Sequence, residues 1–175
     1  MNSTLKIIFN IFRLKGEPSD LPASPMAMGI ALMLVCVIQL LQRSLNPVDQ
    51  NMPVIALFLP AVFSILWCWF VLRLFSKNAR FIQTATALLG VGCILDLLAT
   101  PFIAALLPEL GNKQIVPISM LPLVVLGTYG IYVNARILRA AIDRPMFQSV
   151  MLIISGEMIG GLLALSLVAA PSAPM

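Results

Sequence analysis

This chain predicts an all-α membrane protein: a polytopic helical bundle of five transmembrane helices, preceded by an N-terminal amphipathic interfacial helix. Three observations predict it. Of its 175 residues 60% are hydrophobic and only 10% charged, with a mean hydropathy of +1.00, whereas a soluble domain carries about 25% charged residues. The apolar residues fall into five runs, each near the roughly 20 residues that cross a bilayer as a helix. The basic residues gather in alternate links between those runs. At this length the chain holds one bundle, over residues 26–170, with no room for a separate soluble domain.

Residues 1–25 come first. The opening MNSTLKIIFNIFRLKGE mixes charged with apolar residues and has no small-residue cleavage site, so it does not read as a signal peptide. As a helix it places Lys6, Asn10, Arg13 and Glu17 on one face and Leu5, Ile8, Phe9 and Phe12 on the other. Such a helix lies in the membrane interface with its cations near lipid phosphates, or docks on a partner. A polar, proline-rich link, GEPSDLPASP, follows, and Ser24 before Pro25 makes an N-cap and N1 pair.

The spans are read at about 26–44, 53–74, 80–107, 115–137 and 146–169, leaving a short uncharged tail over 171–175. The links between them are RSLNPVDQNMP, RLFSKNAR, PELGNKQ and RILRAAIDRP. Lys6, Arg13, Lys15, Arg73, Lys77, Arg80, Arg136, Arg139 and Arg144 then share one side, and only Arg43 and Lys113 lie on the other. Basic loops stay cytoplasmic, so a cytoplasmic N-terminus and a non-cytoplasmic C-terminus are expected. The setting is a cell membrane, the inner membrane if the source is bacterial. Trp67 and Trp69 fall near the cytoplasmic end of the second span, where aromatic belts form. Arg80-Phe81-Ile82-Gln83-Thr84 and Pro145-Met146-Phe147-Gln148-Ser149 open the third and fifth spans alike. The second–third and fourth–fifth pairs therefore read as two similar, parallel hairpins.

Two acids lie inside these spans, Asp96 in LLGVGCILDLLATPF and Glu157 in MLIISGEMIGGLLAL. A carboxylate at the bilayer centre costs about 3 kcal/mol on insertion scales. It therefore faces the bundle interior, holds a proton, or has a partner. Gln83, Thr86, Gly90, Cys93, Asp96 and Thr100 form a small or polar stripe along the third span, expected to face other helices. Gly156 and Gly160 form a GxxxG beside Glu157, with Gly161 adjacent, and let another backbone approach closely. At 1.5 Å per residue, Asp96 lies about 24 Å from Arg80 and Glu157 about 20 Å from Arg144, so the two acids share a depth. No lysine or arginine in a span centre can neutralise them. The available donors in the fourth span are Asn134, Tyr129, Tyr132, Thr128 and Ser119. Three readings stay open for the pair: a proton or cation site, two interhelical hydrogen bonds, or contacts to a basic residue of a partner protein.

Other chemistry is thin. Histidine is absent, which removes the commonest general base and metal ligand. Cys36, Cys68 and Cys93 lie in apolar runs without a CxxC pair, so they read as small apolar fillers rather than as disulfides or a metal site. Pro60, Pro101, Pro117 and Pro122 lie in or near spans, and Pro101 frees the carbonyl of Leu97, next to Asp96. That is ordinary in membrane helices, where proline is frequent. HExxH, GxSxG, P-loop and acidic metal-cluster motifs are missing, so neither catalysis nor a cofactor is expected. Arg73, Lys77, Arg80, Arg136, Arg139 and Arg144 read first as orientation signals and second as contacts to anionic head groups.

The segment LRLFSKNARFIQTATALLGVGCILDLLATPF resembles bacterial relatives of the Yip (Ypt-interacting protein) family, through Phe81, Gln83, Thr84 and Pro101. YGIYVNARILRAAIDRPMFQSVMLIISG is similar to that family's closing hairpin. The resemblance covers about half the chain and implies a helical membrane scaffold without known catalysis. The DLYGP-type signature of eukaryotic members is absent, so their trafficking role does not transfer. The expected function is an accessory or scaffold protein that packs in the bilayer against other membrane proteins or copies of itself, without nucleic acid. The alternative is a small proton- or cation-coupled transporter using Asp96 and Glu157.

Overall fold

The computed structural model describes residues 2–45, 54–111 and 120–169. Among them the chain forms α1 (Asn2–Phe12), α2 (Pro25–Leu45), α3 (Val54–Leu74), α4 (Phe81–Gly111), α5 (Met120–Ile142) and α6 (Met146–Ala169). Single 3-10 turns occupy Pro18–Asp20 and Asn78–Arg80. Four helices are long and apolar enough to cross a membrane, spanning Pro25–Leu45, Asn78–Leu106, Met120–Ile142 and Met146–Ser166. Within α3 the apolar stretch runs over Phe58–Leu74. The molecule is an all-helical membrane protein.

α4 is the hub, packing on α1, α2, α3 and α5, while α6 packs on α3 and α5. Two of the expected boundaries move. α5 continues to Ile142, so RILRAAI is helix rather than link. Ile137, Leu138, Ala141 and Ile142 keep the apolar period and are buried, while Arg139 stays exposed. Basic residues at a helix end reach outward and let the apolar face stay inside. α4 likewise runs on to Gly111, through Pro101, so the helix is not broken beside Asp96. Residue 53, Lys113, Pro117, Ser119, the start of the fourth span at 115–119 and the tail at 171–175 lie outside the described residues. The Ser24 cap is as expected, its hydroxyl accepting the amide of Ala27 at 3.4 Å.

The close-packed core falls into three clusters, two toward the basic end and a third of Ala31, Val35, Ala61, Leu89 and Cys93 joining α2, α3 and α4. One cluster joins Cys68, Val71, Leu72, Ala85, Ala135, Leu138, Ala141, Ile142 and Ile153. A second brings Ile8, Ile11 and Leu21 of the N-terminal segment onto Ala87, Val91, Val133 and Ile137. α1 therefore docks on the bundle through Ile8 and Ile11, which are buried, while Leu5 and Phe9 remain exposed. The apolar residues of α1 divide between protein and surroundings.

Three polar contacts pin this segment. The Tyr129 hydroxyl donates to the carbonyl of Phe12. Arg136 donates to Leu14 O at 2.8 Å, and Gln83 to Leu21 O at 2.8 Å. Gly90 completes the seat: a Cβ there would come within 2.8 Å of the Ile8 side chain.

The two helical hairpins are tied at the same end. Lys77 and Arg80, before α4, pair with Asp143, before α6, at 2.6 and 3.0 Å. Arg80 also donates to the last carbonyls of α5, Ala140 O at 3.0 Å and Ala141 O at 3.1 Å. This satisfies acceptors that a helix end leaves unpaired.

Candidate functional site

Between the five long helices lies a partly open cavity of about 660 Å³, which reaches Cys68, Val71, Leu138 and Ile153 of the first core cluster. Every one of these helices contributes: Val35 and Gln39 from α2, Phe63 and Trp67 from α3, Gly92 and Asp96 from α4, Gly127 and Asn134 from α5, Gly156 and Glu157 from α6. Both acids line this space, an arrangement that their similar depth allows. No lysine or arginine lines it among the described residues.

Small residues make the space. A Cβ added to Gly92, Gly127 or Gly161 would meet nothing within 4 Å. Gly156 and Gly160 have another task. The Trp67 ring lies against Gly156 and the Phe63 ring against Gly160, where added Cβ atoms would sit only 2.6 and 2.9 Å away. The two rings stack on each other with centroids 6.0 Å apart. Trp67 also donates its indole N–H to Leu152 O at 3.0 Å. So the GxxxG seats α3 on α6, and Trp67 belongs to that interface rather than to an aromatic belt. Trp69 is exposed, with the Arg73 guanidinium 5.1 Å over its ring.

The polar complement includes two unpaired oxygens. Asn134 Oδ1 and Gln39 Oε1 are buried without a hydrogen-bond partner among the described residues, and both residues line the cavity. A buried unpaired carbonyl costs about 1–3 kcal/mol, so these two acceptors call for a donor or a cation. Next to Gln39 on the same helix, Gln42 braces α2 on α4. Its amide donates to Asp96 O at 3.0 Å and to Thr100 Oγ1 at 3.1 Å, and Thr100 donates to Asp96 O at 2.8 Å. The backbone of the acid is held from two sides beside the proline that relieves its helix of one amide.

The fourth-span donors scatter. Among the described ones, only Asn134 reaches the cavity. Tyr129 holds α1, Thr128 donates to Val124 O of its own helix, and Tyr132 faces outward. Gln83 and Gly90 serve the N-terminal segment. Gln39 and Gln42 are the site residues that sequence reasoning passed over. Their signal was two glutamines three apart on one face of an otherwise apolar span.

The basic residues are committed to structure as well as to charge. Besides Arg80, Lys77, Arg136 and Arg73, Arg144 lies 5.4 Å over the Phe75 ring. No family model, curated protein or solved structure matches this chain.

Proposed function

We propose that this protein is a small proton- or cation-coupled transporter with five membrane spans, α3 being the fifth. Its basic end lies in the cytoplasm, and α1 rests at the interface with Leu5 and Phe9 toward lipid. The observation that carries the reading is the cavity. One space lined by all five long helices gathers two carboxyls and two unpaired carbonyl oxygens, with no basic side chain on its wall among the described residues. A wall that carries two carboxyls and no lysine or arginine among the described residues disfavours anions and suits a proton or a cation. Asp96 and Glu157 hold the charge, Gln39 and Asn134 complete the ligand set, and Gly92, Gly127 and Gly161 leave room for the solute. The packed core and α1 close the basic end, which matches a carrier resting open to the opposite side.

Proteoliposomes test this directly. Imposed pH or sodium gradients should drive a flux that Asp96→Asn and Glu157→Gln each reduce to background while both variants elute as folded protein. Unchanged flux in both variants would overturn the transporter reading.

A second reading has its own observation. Glu157 is exposed, with Met158 and Leu162 beside it each 64% exposed. A carboxyl left against lipid costs about 3 kcal/mol, which a neighbouring chain would remove by covering it. The protein is then an accessory or scaffold subunit, the role that a Yip-like membership implies. A stoichiometric membrane partner, retained in mild detergent and lost with Glu157→Gln, supports this reading when flux is absent.

A further inference from the structure

A second pocket, of about 570 Å³, opens at the basic end, away from the acids. Its walls are the link after α1 (Gly16, Glu17, Pro18), the last turns of α5 (Arg136, Arg139, Ala140) and the turn into α6 (Asp143, Arg144, Pro145). Each wall is held by its own contacts. Arg136 fixes Leu14, the Glu17 amide donates to Asp20 Oδ2 at 3.0 Å, and Lys77 and Arg80 hold Asp143. The volume falls within the roughly 300–1,000 Å³ of small-ligand sites.

The charges around it are unbalanced. Three guanidiniums line the pocket: Arg136, Arg139 and Arg144. Of the two acids on its wall, Asp143 is answered by Lys77 and Arg80 from outside the pocket. That leaves only Glu17, whose carboxylate accepts the Ser19 hydroxyl at 3.4 Å. Arg136 uses one nitrogen on Leu14 O. Arg144 has a face on Phe75, which leaves the edge of its guanidinium for a ligand. Arg139 is exposed and forms no ion pair with another described residue. The guanidinium fork matches phosphate oxygens in pairs, and the first turn of α6 begins just beyond Pro145 with its positive dipole end.

We infer that this pocket binds a phosphate ester, supplied either by the head group of an anionic phospholipid or by a soluble phosphorylated metabolite. The two sources share the recognised group. The pocket is larger than a bare phosphate needs, so the ester's organic part lies along Ile11, Val133 and Ile137.

The test uses the full chain with two probes. Native mass spectrometry from micelles of equimolar phosphatidylglycerol and phosphatidylcholine reads lipid retention. Calorimetry in phosphatidylcholine nanodiscs reads glycerol 3-phosphate binding. Arg139→Gln/Arg144→Gln should weaken one of the two by at least about tenfold, the size expected from losing one charge-assisted contact. Arg73→Gln, which removes one charge outside the pocket and so matches Arg139→Gln alone, should leave both unchanged. If the double variant melts early, the exposed Arg139→Gln alone serves. Selective retention of phosphatidylglycerol assigns the lipid source, and glycerol 3-phosphate binding without lipid selectivity assigns the soluble one. The proposal is overturned if neither probe distinguishes wild type from the double variant, or if Arg73→Gln loses as much.

Discussion

Glycines of this chain look alike in the sequence and differ in what they face. Gly156 carries the Trp67 indole where its own Cβ would be, at 2.6 Å, whereas Gly127 faces open cavity. The indole is held by Leu152 O and by stacking on Phe63, so it has little freedom to yield. Gly156→Ala should therefore destabilise the protein by about 1–3 kcal/mol, the usual cost of overpacking. Gly127→Ala should be neutral or stabilising by up to about 1 kcal/mol, because alanine favours the helix and nothing is displaced. Thermal unfolding in one detergent reads both, and equal losses would show that the α3–α6 seat is not what Gly156 provides. Among the positive-φ residues, Ser76 at 55° ends α3 in the left-handed region that favours glycine. Ser76→Gly should raise the melting temperature by relieving a strain of roughly 1 kcal/mol. A lower melting temperature would mean that the Ser76 side chain stabilises the turn more than the strain costs.

At the scale of elements, the end of α5 shows where sequence reading falls short. Arg136, Arg139 and Arg144 made RILRAAIDRP read as a link, since charge ends an apolar run. The helix nevertheless continues, because its buried side is Ile137, Leu138, Ala141 and Ile142. The helical class and the Ser24 cap were legible, since each rests on local spacing. Gln39 and Gln42 were not. Gln42 is satisfied by groups more than 50 residues away, and no local period announces such a partner. The joint between the hairpins carries a pH prediction. Hydrogen bonds from Lys77 and Arg80 hold the Asp143 carboxyl below its ordinary 3.8. A depressed carboxylate contributes its stability above the unfolded value and loses it as pH falls through the folded value. Hydrogen exchange at Lys77–Arg80 and Asp143 should therefore speed up, relative to the expected intrinsic rate, as pH drops below about 4. Asp143→Asn should abolish this change; superimposable pH profiles for the two proteins would refute the assignment.

At the scale of the whole molecule a partly open cavity lies beside the core, with Val71 and Leu138 of the basic end on its wall. The space of about 660 Å³ is partly open, and two carboxyls and two unpaired carbonyl oxygens lie on its wall. These oxygens make water or a hydrated cation the natural filling. Water must enter from the end opposite the basic residues, since Val71, Leu72, Ala85 and Leu138 are almost fully buried at the basic end. Cysteine scanning in reconstituted vesicles reads this asymmetry, in a background where Cys36, Cys68 and Cys93 are replaced by alanine. Gly127→Cys should react with a membrane-impermeant cationic thiol reagent added on the side opposite the basic end, and Ala85→Cys should react from neither side. Asp96→Asn should slow the reaction at position 127, because the carboxylate draws the cationic reagent inward. Equal labelling of Gly127→Cys from both faces would mean that the packed end does not seal. A rate that is unchanged in Asp96→Asn would remove Asp96 from the cavity wall.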